Sequence, residues 1–127
     1  MSAPLKLLYV DDDPDIRTIV RMSLALDPTI VARTAQSGAD ALRIAADPEW
    51  RPDILVLDVM MPEMDGVETL RALRMLPDFA ATPAIFMTAK GRQEDIARYH
   101  AEGAAGVILK PFDPLQLATE IRTLAAR

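Results

Sequence analysis

The sequence has no cysteine and one histidine, and only 5% of its residues are aromatic. Without cysteine there are no disulfides and no thiolate metal sites, and nothing argues for an oxidising compartment. The lone His100 has no companions at metal-ligand spacing, so it reads as a helix-surface residue. Long hydrophobic runs are missing as well. No apolar stretch approaches the roughly 20 residues that a membrane-spanning helix needs, and the opening MSAPLKLLYV lacks the basic, apolar and small-residue regions of a secretory leader. The cytoplasm is therefore the expected location, with no membrane partner. Positive charge is in deficit too: 14 Lys and Arg stand against 19 Asp and Glu, a net charge of -5. Binding a phosphate backbone relies on clustered cations that displace counterions, so no direct nucleic-acid contact is expected.

Half of the 127 residues are hydrophobic and 26% are charged, the balance of a folded chain. A chain of this length buries roughly 65–70% of its unfolded surface in one core, and no linker, repeat or low-complexity tract interrupts it. One domain over residues 1–127, with its core at about 5–125 and no second domain, is expected. Apolar runs of strand length alternate with stretches of helical period throughout, which favours an α/β fold with parallel strands and crossover helices. The strand candidates are Leu5 to Val10, Thr29 to Thr34, Asp53 to Asp58, Pro83 to Thr88 and Gly106 to Lys110.

Ile16, Ile19, Val20 and Leu24 mark the inward stripe of a first helix, and Leu42, Ala45 and Ala46 that of a second. Ser37 with Asp40, and Asp65 with Glu68, have the spacing of capping boxes that open the second and third helices. The last helix is expected to start at an Asp113 cap with Pro114 in its first turn, and to carry Leu117, Ile121, Leu124 and Ala125 on one face. A fourth helix over about Gln93 to Glu102 has only Ile96 and alanines for a stripe, and should be the loosest.

In an open parallel sheet, ligands bind beyond the carboxyl ends of the strands. Here the first strand runs into Asp11, Asp12 and Asp13, the third ends at Asp58, the fourth at Thr88 and the fifth at Lys110. Acids, a hydroxyl and an ammonium thus converge on one rim from distant parts of the chain. Asp13 and Asp15 read as turn formers or helix caps. Asp12 and Asp58 with Lys110 do not, because adjacent carboxylates stay ionised together only when something positive lies among them. A hard divalent cation with oxygen ligands meets that need, and magnesium suits it. The Lys110-Pro111 bond sits where a sharp turn, and a cis peptide, can occur.

The segments VDDD, DVMMPEMDG, MTAK and LKPF, in that order along the alternation, resemble the receiver domain of bacterial two-component response regulators, from about Leu5 to Ala125. The resemblance implies a doubly wound, flavodoxin-like (βα)5 fold with strand order 2-1-3-4-5. It implies that Asp58 accepts a phosphoryl group from a phosphohistidine on a sensor histidine kinase or a histidine phosphotransfer protein, with magnesium as cofactor. Asp12 would bind the metal directly, Asp11 through water or by sharing the load, and the Met60 carbonyl would add a ligand beside Asp58. Thr88 and Lys110 would each engage a phosphoryl oxygen, and Ala89 would leave room for the donor. The chain would catalyse only its own phosphorylation and dephosphorylation. A downstream protein would meet the face formed by the fourth helix, fifth strand and fifth helix.

One position departs from the family pattern. The residue three before the lysine, commonly an aromatic that turns inward on activation, is Val107, which has no ring to turn. Met60 and Lys90 occupy places that tune phosphoryl lifetime in relatives. Three rival readings can be weighed. A phosphatase of haloacid dehalogenase type needs an acid two residues after its nucleophile, and Met60 stands there. A flavin or nucleotide binder needs glycines and free N–H groups in its first loop, where this chain has DDDPD. A phosphorylation-independent interaction module typically lacks the acceptor, metal ligand or lysine, and all are present here.

Overall fold

The computed structural model describes residues 3–126; Met1, Ser2 and Arg127 of the expected 1–127 span lie outside the described residues. In chain order the elements are β1 (Leu5–Val10), α1 (Pro14–Leu24), β2 (Ile30–Ala35), α2 (Gly38–Ala45), β3 (Ile54–Asp58), α3 (Gly66–Arg74), a turn of 3-10 helix at Pro77–Phe79, β4 (Ala84–Thr88), α4 (Gln93–Ala101), β5 (Gly106–Leu109) and α5 (Leu117–Ala125). The strands form one parallel sheet in the order β2-β1-β3-β4-β5. The fold is the α/β, doubly wound, flavodoxin-like arrangement expected from the sequence.

The central strands are apolar because helices cover both of their faces. Every residue of β3 and β4 is buried. Leu8 and Val10 point toward the layer of α2, α3 and α4, while Leu7 and Tyr9 point toward α1 and α5. Each fully buried Leu or Val contributes roughly 1.5–3 kcal/mol, so β1 contributes to both helical layers, together with the buried residues of β3 and β4.

Several boundaries differ from the sequence expectation for local reasons. In α1, Val20 and Leu24 are buried, but Ile19 is 41% exposed, because it sits at the edge of the stripe. Ala46, expected inside α2, is its exposed C-cap. Ser37 does accept the Asp40 N–H at 3.0 Å, yet the Asp40 carboxylate turns to the Gln36 N–H and to Arg43, so that capping box is only half made. The Asp65 and Glu68 box is complete. Asp113 caps a turn and not the last helix: its carboxylate accepts the Leu115 N–H and its carbonyl the Gln116 N–H, and α5 begins at Leu117. In α4, the inward residues are Asp95 and Tyr99, with Ile96 only half-buried.

Candidate functional site

At the carboxyl edge of β1, β3 and β5, the sheet places its acids around one ammonium. The Lys110 Nζ donates to Asp58 Oδ1 at 2.9 Å and to Asp11 Oδ2 at 3.2 Å, joining residues 52 and 99 positions apart. Asp11 and Asp58 are 1% and 5% exposed, whereas Asp12 is open to solvent. The carboxylates of Asp11, Asp12 and Asp58 each bring an oxygen within 4.8 Å of the others. Among the described residues this is the one such cluster that could hold a metal ion. Its donor set of hard carboxylate oxygens fits a hard divalent cation.

Electrostatics agree with the geometry. Burial pushes the Asp58 carboxyl up to about 6 from its ordinary 3.8; the Lys110 hydrogen bond opposes this, and the charges of Asp11 and Asp12 reinforce it. Burial lowers the affinity of Lys110 for its proton, but its hydrogen bond to Asp58 and the charges of Asp11 and Asp58 outweigh this, so the lysine stays protonated beyond its usual range. A pocket with more negative than positive charge, mostly shielded from water, is one that favours an added cation.

Thr88 closes β4 and is fully buried. Its Oγ1 accepts the Lys90 N–H at 3.0 Å, while its carbonyl takes the Lys110 N–H at 2.9 Å. The hydroxyl is thus held at the rim but is bonded to the loop and not to Asp58. Met60 lies two residues beyond Asp58 with its side chain 61% exposed. Asp13 is the N-cap of α1, accepting the Asp15 and Ile16 N–H groups, and so plays the structural part expected of it. His100 is exposed at the end of α4, its Nδ1 3.1 Å from the Ala104 carbonyl. The Lys110-Pro111 peptide is cis.

Gly66 meets a need other than conformational freedom. Among the described residues the glycine with positive φ is Gly103, and in the loop after β3 it is Glu63 that adopts φ 68°. At Gly66 a Cβ would lie 2.4 Å from the Asp58 carbonyl oxygen and 2.9 Å from the Val59 Cα. Glycine lets the start of α3 rest directly on the backbone of Asp58. Sequence reasoning also missed Tyr9, whose buried hydroxyl donates to Asp11 Oδ2 at 2.5 Å, and Arg17, which donates to the Asp11 carbonyl at 2.8 Å. A tyrosine two residues before an acid on one strand face was the available signal.

Beside the rim lies an apolar hollow of about 390 Å³, lined by Ile16, Ile19, Ala89, Pro111, Phe112 and Pro114, with Lys110 at its border. The exposed Met22 and Leu26 extend it along α1.

A doubly wound parallel sheet with clustered carboxylates and a tethered lysine at its carboxyl edge defines the class: a receiver-like α/β domain. The chain matches the response regulator receiver domain across residues 7–122 and belongs to that family, the receivers of two-component systems. It is 40% identical over 115 residues to a 14.6 kDa protein of Leptolyngbya boryana, covering 91% of this chain and 86% of that one. It is 32% identical over 127 residues to response regulator Rre1 of Synechocystis, covering all of this chain and 54% of that protein. Against that regulator the chain spans about half the length. The structure of chemotaxis response regulator CheY4 of Vibrio cholerae superposes with a TM-score of 0.86 at 34% identity, over 96% of this chain and 99% of that one. No helix among the described residues is long and apolar enough to cross a membrane.

Proposed function

We propose that Asp58 accepts a phosphoryl group from a phosphohistidine on a sensor histidine kinase or a histidine phosphotransfer protein, and that the acyl phosphate changes which protein the domain binds. The observation that carries this reading is the Lys110 ammonium shared between Asp58 and Asp11. A carboxylate oxygen attacking phosphorus forms the O–P bond as the P–N bond to histidine breaks, and the leaving imidazole nitrogen keeps the electron pair. The incoming group is anionic, so both reactants need neutralising charge. Lys110 can leave the esterified Asp58 for a phosphoryl oxygen without losing Asp11. The Thr88 hydroxyl can donate to a second phosphoryl oxygen while still accepting the Lys90 N–H. Magnesium is the cation that the donor set suits, with Asp12 and Asp58 as direct ligands, Asp11 through water and the Met60 carbonyl as a further one; when bound, it neutralises charge on both reactants.

The hollow beside Lys110 supplies a surface for the donor. It is apolar, and it touches Ala89 and Lys110 at the rim itself, so a donor seated on α1 would bring its phosphohistidine to Asp58. The downstream partner is assigned to the face of α4, β5 and α5. We infer no turnover of other molecules: the position two after the acceptor is Met60, which provides no acid for hydrolysis. Cytoplasmic location and the lack of direct nucleic-acid contact belong to the same reading.

The test is labelling by a small acyl-phosphate donor or a cognate kinase. Asp58→Asn and chelation of magnesium should each abolish it. Undiminished label on the Asn variant would overturn the assignment, and steady hydrolysis of a phosphate ester would favour the phosphatase reading instead.

A further inference from the structure

Asp11 is the most heavily partnered side chain of the site, and the group that holds it most closely plays no part in the reading above. Its Oδ2 accepts from the Tyr9 hydroxyl at 2.5 Å and from Lys110 Nζ at 3.2 Å, and its Oδ1 accepts the Asp13 N–H at 3.0 Å. Tyr9 is fully buried in the layer of α1 and α5, so water has no access to that hydroxyl. Asp12, one residue on, is open to solvent.

We infer that Tyr9 is a positioning residue for the acceptor site: its hydroxyl fixes the Asp11 carboxylate so that Asp11 holds Lys110 from below and faces the cation with its other oxygen. The inference rests on the magnesium-dependent reading of the site. A carboxylate oxygen has two lone-pair directions, and on Oδ2 the tyrosine and the lysine occupy both. That leaves Oδ1 as the oxygen with spare capacity toward a cation or its water. It also sets how tightly the lysine is kept, because Asp11 divides Oδ2 between two donors while Asp58 offers Oδ1 at the shorter distance of 2.9 Å. Without the hydroxyl, Asp11 would keep Lys110 as the one donor on Oδ2, with only the Asp13 N–H on Oδ1 to set its orientation, and could draw the ammonium away from Asp58. Groups that hydrogen-bond to metal ligands typically change affinity or activity by 10–100-fold when removed.

The chain has two tyrosines, Tyr9 and Tyr99, and Tyr99 has no hydrogen-bond partner, so one serves as the control for the other. In the full chain, titration with magnesium should produce a tyrosine difference band in the near ultraviolet. That band should persist in Tyr99→Phe and vanish in Tyr9→Phe. Calorimetry should show magnesium binding about tenfold weaker in Tyr9→Phe, while circular dichroism shows a folded domain. A wild-type protein that binds magnesium with no tyrosine band overturns the inference and leaves the acceptor reading standing. Unchanged magnesium affinity in a folded Tyr9→Phe does the same. A wild-type protein that binds no magnesium overturns both.

Discussion

The third and fourth helices cover the same face of the sheet and are fastened in opposite ways. At the start of α3, Asp65 and Glu68 satisfy each other's backbone N–H groups at 2.8 and 3.1 Å, and Gly66 rests against the Asp58 carbonyl. At the start of α4, Arg92 occupies the cap and gives no side-chain bond to a backbone N–H, although Ser, Thr, Asp or Asn there would; its guanidinium instead donates to Asp95 at 3.2 Å. Leu70 and Leu73 anchor α3 in the core, whereas α4 relies on Tyr99. That ring packs against Phe86 at 5.4 Å between centroids, yet its hydroxyl is buried without a partner. The two helices are tied to each other by the Arg71 and Glu102 ion pair at the far end of α4. The end of α4 nearest Thr88 has only the exposed Arg92 pairing with Asp95 to hold its first turn. The fully capped helix thus stands behind Asp58, and the helix without a cap follows Thr88.

Substitution can break this contrast from either side. The largest effect is expected from Gly66→Ala, whose new methyl would meet backbone at 2.4 Å; overpacking of this kind destabilises by about 1–3 kcal/mol, and chemical denaturation should show it together with impaired labelling of Asp58. Next comes Asp65→Ala, which removes the capping box and should lower stability by about 1 kcal/mol. Arg92→Ser should add the missing cap to α4 while giving up the Arg92–Asp95 pair, for a net change within about 0.5 kcal/mol and slower amide hydrogen exchange in the first turn of α4. Tyr99→Phe should be neutral or slightly stabilising, since it deletes a hydroxyl that has no partner to lose; a clear loss of melting temperature would mean that the hydroxyl is satisfied after all.

The smallest effect concerns pH. The hydrogen bond from Arg71 holds the Glu102 carboxyl below its ordinary range. A carboxyl depressed in the folded state stabilises above its unfolded pKa, and that contribution is lost as pH falls through the folded value. The tie between α3 and α4 should therefore loosen in acid, and in Arg71→Gln the Glu102 titration followed by NMR should move back up.

The sheet was legible in the sequence because its central strands are apolar on both faces, and the rim was legible because carboxylates and a lysine end strands that would otherwise be hydrophobic. The thin apolar stripe of α4 was legible too, in the lack of large aliphatic residues between Gln93 and Glu102. What filled that gap was not: nothing in the stripe singles out Tyr99, which the fold places on Phe86. The start of α5 was misread because Asp113 and Pro114 satisfy the rule for a helix cap and equally that for a turn, and here both the carboxylate and the carbonyl of Asp113 serve the turn. Tyr9 escaped because period-two alternation assigns it to the core without saying that its oxygen reaches the next acid on the same face.

Lys110 follows the last strand, while Asp11 and Asp58 lie in the first half of the chain. During synthesis, Asp58 emerges long before the cation that completes its surroundings. An unfinished chain therefore carries the buried carboxylates without their counter-charge, and the rim is complete only when the final strand docks at the sheet edge.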